Sequence, residues 1–320
     1  MKKTPLIVLL VVVIAVLIAA GILQGKYEAI ISAPYVSHES VAGAHTSARI
    51  VIKPLLAEDY IARRLLVPQG VPSWVADRVL PREAVLLCDT NIETGDTLLT
   101  LFLNEQRLGP VIQEKVNETG FQRRIPDITW SPEGLVRNGR GSMTLDGAIR
   151  LPPAALDTVH NQWGIVQPMK PLEIEGEHFV EAVLDNRDGA AFALLCGLYL
   201  KGGGVPPNQF NILDPNVVKG VKNIACLRLA VDIKSDTELG VGVRVECGPA
   251  ASEDAVQSIK FLLDQARAAA RTALKQDFGA DLSGGFNREA LAVVGQFTIS
   301  PFEPILKWLG VPLAPPAKAA

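Results

Sequence analysis

The sequence predicts an α+β fold: a single N-terminal transmembrane helix, then an exported body of antiparallel hairpins packed with helices, laid out as two related halves. Three observations carry this. An uninterrupted apolar run opens the chain, alternating strands recur in pairs around polar turns, and one strand–Pro–helix pattern occurs three times.

The apolar run is LIVLLVVVIAVLIAAGIL, from Leu6 to Leu23, with Lys2 and Lys3 before it. At ~1.5 Å per residue a helix of this length covers roughly 27 Å, close to the hydrocarbon thickness of a bilayer. The flanking lysines keep the N-terminus cytoplasmic and place the rest of the chain on the periplasmic or extracellular side. A cleaved signal peptide has a shorter apolar core, of ~7–15 residues, and a small-x-small site. Ala19, Ala20 and Gly21 offer no clean A-x-A, and no Cys follows for a lipid anchor. A signal-anchor is therefore expected, with the cleaved signal as its alternative. The divisions are 1–24 anchor, 25–44 tether, 45–165 first half, 166–310 second half, and 311–320 a disordered Pro/Ala-rich tail.

Alternation of apolar residues marks half-buried strands. EAVLLCD and TLLTLFLN flank the turn NIETGD, and IACLRLAVDIK and LGVGVRVEC flank SDTE. The first pair is followed by the helical segment GPVIQEKVNETG, the second by a longer helix. That longer helix begins at Ser252, a good N-cap, with Glu253 and Asp254 in its first turn. Val256, Ile259, Leu263, Ala266, Ala270 and Leu274 share one face at helical spacing. Each half then reads strand, Pro, helix. SARIVIKP, DGAIRLPP and VGQFTISP end at Pro54, Pro153 and Pro301, and proline stops a central strand but suits a helix start. Two ordinary, unrelated α+β stretches are the alternative to duplication. Asn138-Gly139 predicts a two-residue turn. EHFVEAVL and AAFALLCGLYLKGGG predict a further hairpin around DNRDG.

The net charge is −3 and no basic stripe occurs, so nucleic acid is not an expected partner. The expected partners are membrane lipid, through the N-terminal helix, and other envelope proteins. Cys88, Cys196, Cys226 and Cys247 have no C-x-x-C spacing. Strand alternation puts Cys226 on a polar face and Cys247 on an apolar one, so free, buried thiols are expected.

No motif fixes a reaction or a cofactor. His178, Glu181 and Asp185 form the one local cluster with metal-ligand residue types. On a helix all three would share a face. On a strand, which the Phe and Val content favours, His178 points away from Glu181 and Asp185, and a solvated strand face is expected. His160 lies near Asp157, but no G-x-S-x-G or S-x-x-K supplies an activated serine, which favours a surface histidine. Asn117 opens a glycosylation sequon read as chance. Phe302, Ile305, Leu306 and Leu309 form a short amphipathic face expected to pack on the protein's own sheet. The function expected is that of a membrane-anchored, non-enzymatic binding or structural module of the cell envelope. A carrier or sensor for an apolar ligand is the alternative, motivated by the aliphatic strands. An exported hydrolase with dispersed acids is a further one.

The anchor reading is directly checkable. A reporter fused after Ile30 is expected to be active only outside the cytoplasm, and the protein to stay with membranes through carbonate washing. Recovery of a shortened, soluble exported form would identify a cleaved signal instead.

Overall fold

The computed structural model describes residues 46–70, 80–105, 128–163, 177–201 and 211–308, together with scattered residues between 18 and 32, Pro72, Gln113, Glu114 and Asn117. Most of Leu6–Leu23, the tether, the tail, the rest of GPVIQEKVNETG, and His38, His45 and Leu309 lie outside these residues. Among the described residues no helix is long and apolar enough to cross a membrane.

Eleven described strands form one antiparallel sheet. They are β1 (Thr46–Ile52), β2 (Glu83–Thr90), β3 (Asp96–Asn104), β4 (Thr129–Trp130), β5 (Val136–Gly139), β6 (Ser142–Arg150), β7 (Val180–Asp185), β8 (Ile224–Ile233), β9 (Leu239–Cys247), β10 (Asp281–Glu289) and β11 (Ala292–Ser300). Their order is β10-β11-β9-β8-β7-β1-β2-β3-β6-β4, with β5 also on β6. The helices are α1 (Pro153–Gln162), α2 (Ala190–Lys201), α3 (Pro215–Val221), α4 (Glu253–Phe278) and α5 (Glu303–Trp308). A further helical run, from Pro54 to Gln69, follows β1 and changes hydrogen-bonding pattern along its length.

The three proline junctions behave alike. β1 passes through Lys53 into the run at Pro54, β6 through Leu151 and Pro152 into α1, and β11 through Pro301 and Phe302 into α5. Both predicted hairpins form, β2–β3 and β8–β9. Helices cover one face of the sheet. On the first half, Ala155 and Val159 of α1, Phe192, Ala193 and Cys196 of α2, and Val218 of α3 pack on Ala48, Cys88, Leu99 and Ile149. On the second half, Val256 and Ile259 of α4 pack on Val245, Cys247 and Val293. Ser252 accepts from Ala255 N–H at 3.1 Å as the N-cap, and Gly279, with φ +65°, ends the helix. Burial fades along α4: Ala270 is exposed, and there polar contacts take over, from Arg267 to the Gly284 carbonyl and from Arg271 to Asp281.

Two expectations are corrected. Residues 190–201 form helix α2 rather than the return strand of a hairpin. The run is long and rich in Ala and Leu, good helix formers, and apolar periodicity alone does not separate a buried helix from a buried strand. Asp188 and Asn186 accept from the N–H groups of Ala190 and Phe192 at its start, both at 2.9 Å. The β5–β6 turn falls on Arg140 and Gly141, two residues beyond Asn138, because Gly139 pairs with Ser142 across a register shift. Cys226 shares a face with Arg228 and is 1% exposed, in keeping with the free, buried thiols expected. At the start of α5, Phe302 meets the Tyr60 ring of the helical run at 5.6 Å, and Glu303 pairs with Arg64.

All four cysteines are free and buried. Cys226 stands opposite Glu246, and Cys247 opposite Ile224 on the α4 side, with a register shift between. Burial pushes the Cys88 and Cys196 thiols up to about 12, and burial with Glu246 nearby pushes Cys226 up to about 11.

Two measurements check this packing. Ile259→Asp places an unpaired carboxylate at a 1% exposed site and is expected to cost several kcal/mol, against a typical total of ~5–15 kcal/mol. Lys260 lies beside it and pairs with Asp264 at the surface; Lys260→Gln is expected to cost about 0.5 kcal/mol or less in the same denaturant titration. Because the nucleophile is the thiolate, the four thiols are expected to react with a maleimide only after denaturation. No linked Cys226–Cys247 peptide is expected in the mass spectrum.

Candidate functional site

The face of the sheet opposite the helices differs between its halves. On β1–β3 it carries Val51, Val85, Leu87 and Phe102, all buried against one another. On β7–β11 the same face carries charge and small residues. The ladder fixes which side chains are neighbours, because residues directly opposite share a face. Glu181 of β7 stands opposite Ala230, Ala230 opposite Gly242, and Gly242 opposite Gln296. One step along, Val183, Arg228, Arg244 and Val294 form the parallel row. The absence of bulk at Ala230 and Gly242 leaves a groove of about 190 Å³ over them. A Cβ added at Gly242 would meet nothing nearer than the Ala230 methyl at 3.7 Å.

Glu181 forms one wall. Its side chain is 4% exposed and lies 3.4 Å from Lys53 Nζ. Its Oε1 also accepts from the His178 backbone N–H at 3.1 Å, while Oε2 is buried without a hydrogen-bond partner. Arg228 and Arg244 form an end wall. Like charges directly opposite repel, and Glu246 sits with both, 3.6 Å from Arg228 Nε and 3.2 Å from Arg244 Nε, with Glu289 at 3.1 Å from Arg244. At 3.6 Å the contact from Arg228 Nε to Glu246 is an ion pair rather than a hydrogen bond.

At the other end, His178 Nδ1–H donates to Asp232 at 2.9 Å, and the Phe179 N–H donates to the second carboxylate oxygen at 3.2 Å. Burial alone would raise the Asp232 carboxyl, but these hydrogen bonds and the nearby Lys234 outweigh it and hold it below its ordinary value.

Of the cluster met in the sequence, His178 and Glu181 reach this groove together, whereas Asp185 is taken up by Arg187 two residues on. The alternation argument fails at His178 because the strand starts only at Val180. Among the described residues no group of three His, Cys, Asp or Glu side chains is placed to hold a metal. His160 is an exposed α1 residue whose Nε2–H donates to the Ile92 carbonyl at 2.8 Å, and Asn117 accepts from the Leu135 N–H. Lys53, Arg228, Asp232, Gly242 and Arg244 were not singled out by sequence. Their signal was the polar alternation on β8, whose partners on β7 and β9 only the register reveals.

No protein-family model and no curated protein matches the sequence. Among solved structures, the chain is similar to crystal form I of TP0453, with 12% identity and a TM-score of 0.40 over 86% of this chain and 98% of that one. Crystal form III of the same protein gives 12% identity and 0.39, over 87% and 98%. These likenesses assign no function.

The Asp232 contacts predict a pH dependence. A carboxyl held low by folding stabilises the fold above its ordinary value, 3.8, and that contribution disappears as pH falls through the folded value. Wild type is expected to exceed Asp232→Asn in stability near neutrality by at most about 1 kcal/mol, since the carboxylate is partly exposed. In urea titrations the gap is expected to close in acid.

Proposed function

We propose that this chain is a membrane-tethered, non-enzymatic binding module of a bacterial-type cell envelope, and that it meets its partner at the groove over Ala230 and Gly242. In this reading residues 6–23 hold it in the bilayer with the N-terminus cytoplasmic. The body then stands on the periplasmic or extracellular side, where other envelope components are its partners. The tether rests on the apolar run and its flanking lysines. The binding role rests on one observation: an open groove is lined by Glu181, whose buried carboxylate oxygen Oε2 meets no hydrogen-bond partner among the described residues. An unmet buried acceptor costs stability, and a partner that donates to it offsets that cost.

A non-enzymatic role is favoured over hydrolysis by what lines the groove. His178 is committed to Asp232, Glu181 Oε1 is held by the His178 N–H and Lys53, and no Ser, Thr, Cys, Lys or Tyr side chain stands among the lining residues. The carrier alternative loses its motive, since Leu99 and Phe102 of TLLTLFLN and Phe192 and Cys196 of α2 fill cores.

Duplication also belongs to this proposal. Outward from the β1–β7 pair the sheet runs β1-β2-β3-β6 on one side and β7-β8-β9-β11 on the other. Each series ends in a hairpin, β5–β6 or β10–β11, and passes through proline into a helix. Specialisation of one copy for core and the other for binding accounts for the contrast between the two halves of the open face.

The test is a pull-down from detergent-solubilised membranes with the N-terminal segment intact, comparing wild type with Gly242→Val. Valine suits a strand and adds bulk to the groove floor, where its Cβ meets nothing nearer than 3.7 Å. Components retained by wild type are expected to be lost from the variant at unchanged thermal stability. Equal recovery by both would remove the groove from the contact surface.

A further inference from the structure

Resting on that groove as the contact surface, we infer that its ligand is an uncharged peptide segment with small side chains, one of whose backbone N–H groups donates to Glu181 Oε2. Glu181 is the lining residue with accepting capacity to spare. Its side chain is 4% exposed, and Oε1 already lies 3.4 Å from Lys53 Nζ and accepts from the His178 N–H at 3.1 Å. Oε2 meets no hydrogen-bond partner among the described residues. A carboxylate accepts and does not donate, so the ligand has to bring the donor. That donor is uncharged, because the charged side chains of the lining are already answered. Glu181 has Lys53, and Arg228 has Glu246 and also contacts the Cys226 thiol. Arg244 has both Glu246 and Glu289. At the His178 end, Asp232 takes the imidazole N–H and has Lys234 at 3.5 Å. An ammonium or a carboxylate would give up its hydration here with no opposite charge free to compensate it.

The surroundings of Glu181 separate an amide from a hydroxyl-rich ligand. Val183, Ala230, Gly242 and Val294 share the lining with it, and no Phe, Tyr or Trp stands among the described lining residues. A sugar would bring several hydroxyls against these apolar side chains, leaving them unpaired, with no aromatic ring to stack on. A peptide unit between small side chains carries one donor for the one open acceptor, and methyl groups for the valines. The groove is open, so water reaches the carbonyls of such a ligand. A hydrogen bond from an amide to a carboxylate is charge-assisted, which makes the N–H the feature on which affinity turns.

The test is a ligand-observed NMR titration of the detergent-solubilised full chain with N-acetyl-alanine N-methylamide. Saturable binding at millimolar probe is expected. Replacing both amide hydrogens by methyl groups is expected to weaken it about tenfold or more, and so is exchanging either neutral end for a free ammonium or a free carboxylate. Glu181→Gln is the diagnostic variant. Its amide oxygen keeps the two donors at the Oε1 position, the His178 N–H and the Lys53 ammonium. Its NH2 then turns into the groove and puts a donor where the acceptor was. This variant is expected to bind the parent and N-methylated probes equally, whereas a merely structural Glu181 would leave the discrimination intact. Gly242→Val is expected to remove binding of every probe. Should Glu181→Gln fail to fold, the wild-type preference for N–H and Gly242→Val still decide the matter. No saturable binding, or equal binding of N–H and N-methyl probes by wild type, overturns the assignment and leaves Oε2 to water. Tighter binding of a charged probe, or of N-acetylglucosamine, overturns the uncharged peptide as the ligand class. If Gly242→Val nevertheless loses its partners in the membrane pull-down, the groove remains the contact surface and only the ligand class is wrong.

Discussion

The pairing of β1 with β7 is the constraint on which the rest of the sheet depends. Five consecutive register partners, from Ala48 with Leu184 to Ile52 with Val180, join strands more than a hundred residues apart in sequence. Within the sheet, β2 to β6 connect through β1 and β8 to β11 through β7. The seam is reinforced at one end, where Lys53 N–H donates to the Phe179 carbonyl at 2.8 Å and the Lys53 ammonium approaches Glu181. Because a strand's side-chain period is two, a one-residue slip here would exchange the faces of a whole half. Ala48 would leave the α1–α2 core and Glu181 would enter the helix-covered face. The hydrophobic cost of that exchange specifies the register.

With α1 to α4 packed on one side of the sheet, its other face is dealt with strand by strand. On β1–β3 this is done with bulk: Val51, Val85, Leu87 and Phe102 bury one another. On β7–β11 it is done with charge, and charge in a half-buried setting must be paired or hydrogen-bonded. Lys53 answers Glu181, Glu246 answers Arg228 and Arg244, and His178 answers Asp232. These pairings account for most of the polar groups around the groove. The carboxylate oxygen left over, Glu181 Oε2, has no hydrogen-bond partner among the described residues.

Local features were well expressed in the sequence, and non-local ones were not. The Ser252 cap, the α4 face at Val256 and Ile259, the two main hairpins and the three proline junctions each depend on contiguous residues. Strand β10 escaped notice because Gly284, Gly285 and alternating charges hide its period, and its exposure gives it little apolar signal. α2 was mistaken for a strand because Asn186, the residue that secures its start, also donates to the Val221 and Ile224 carbonyls, which lie far along the chain. The candidate site was legible only as fragments. His178 and Glu181 were visible as a pair, and Arg228 and Asp232 as a polar alternation, but their convergence requires the register of four strands.

Glycine and alanine at the centre of the groove bear on why this face is open at all. Gly242 weakens a strand that larger residues would stabilise, and the added Cβ would meet only ordinary contact at Ala230. Sterics at that position therefore do not require glycine, and its φ does not fall in the left-handed region. Gly284 differs: it has φ +110°, and a Cβ there would collide with the Gln296 backbone, so conformation alone explains it. The explanation for Gly242 has to come from the space above it. Filling that space would cover the Glu181 carboxylate with apolar groups while its Oε2 remained unmet, raising the desolvation cost without supplying a partner. The small residues on the floor and the unmet carboxylate oxygen in the wall are thus two features of one concavity.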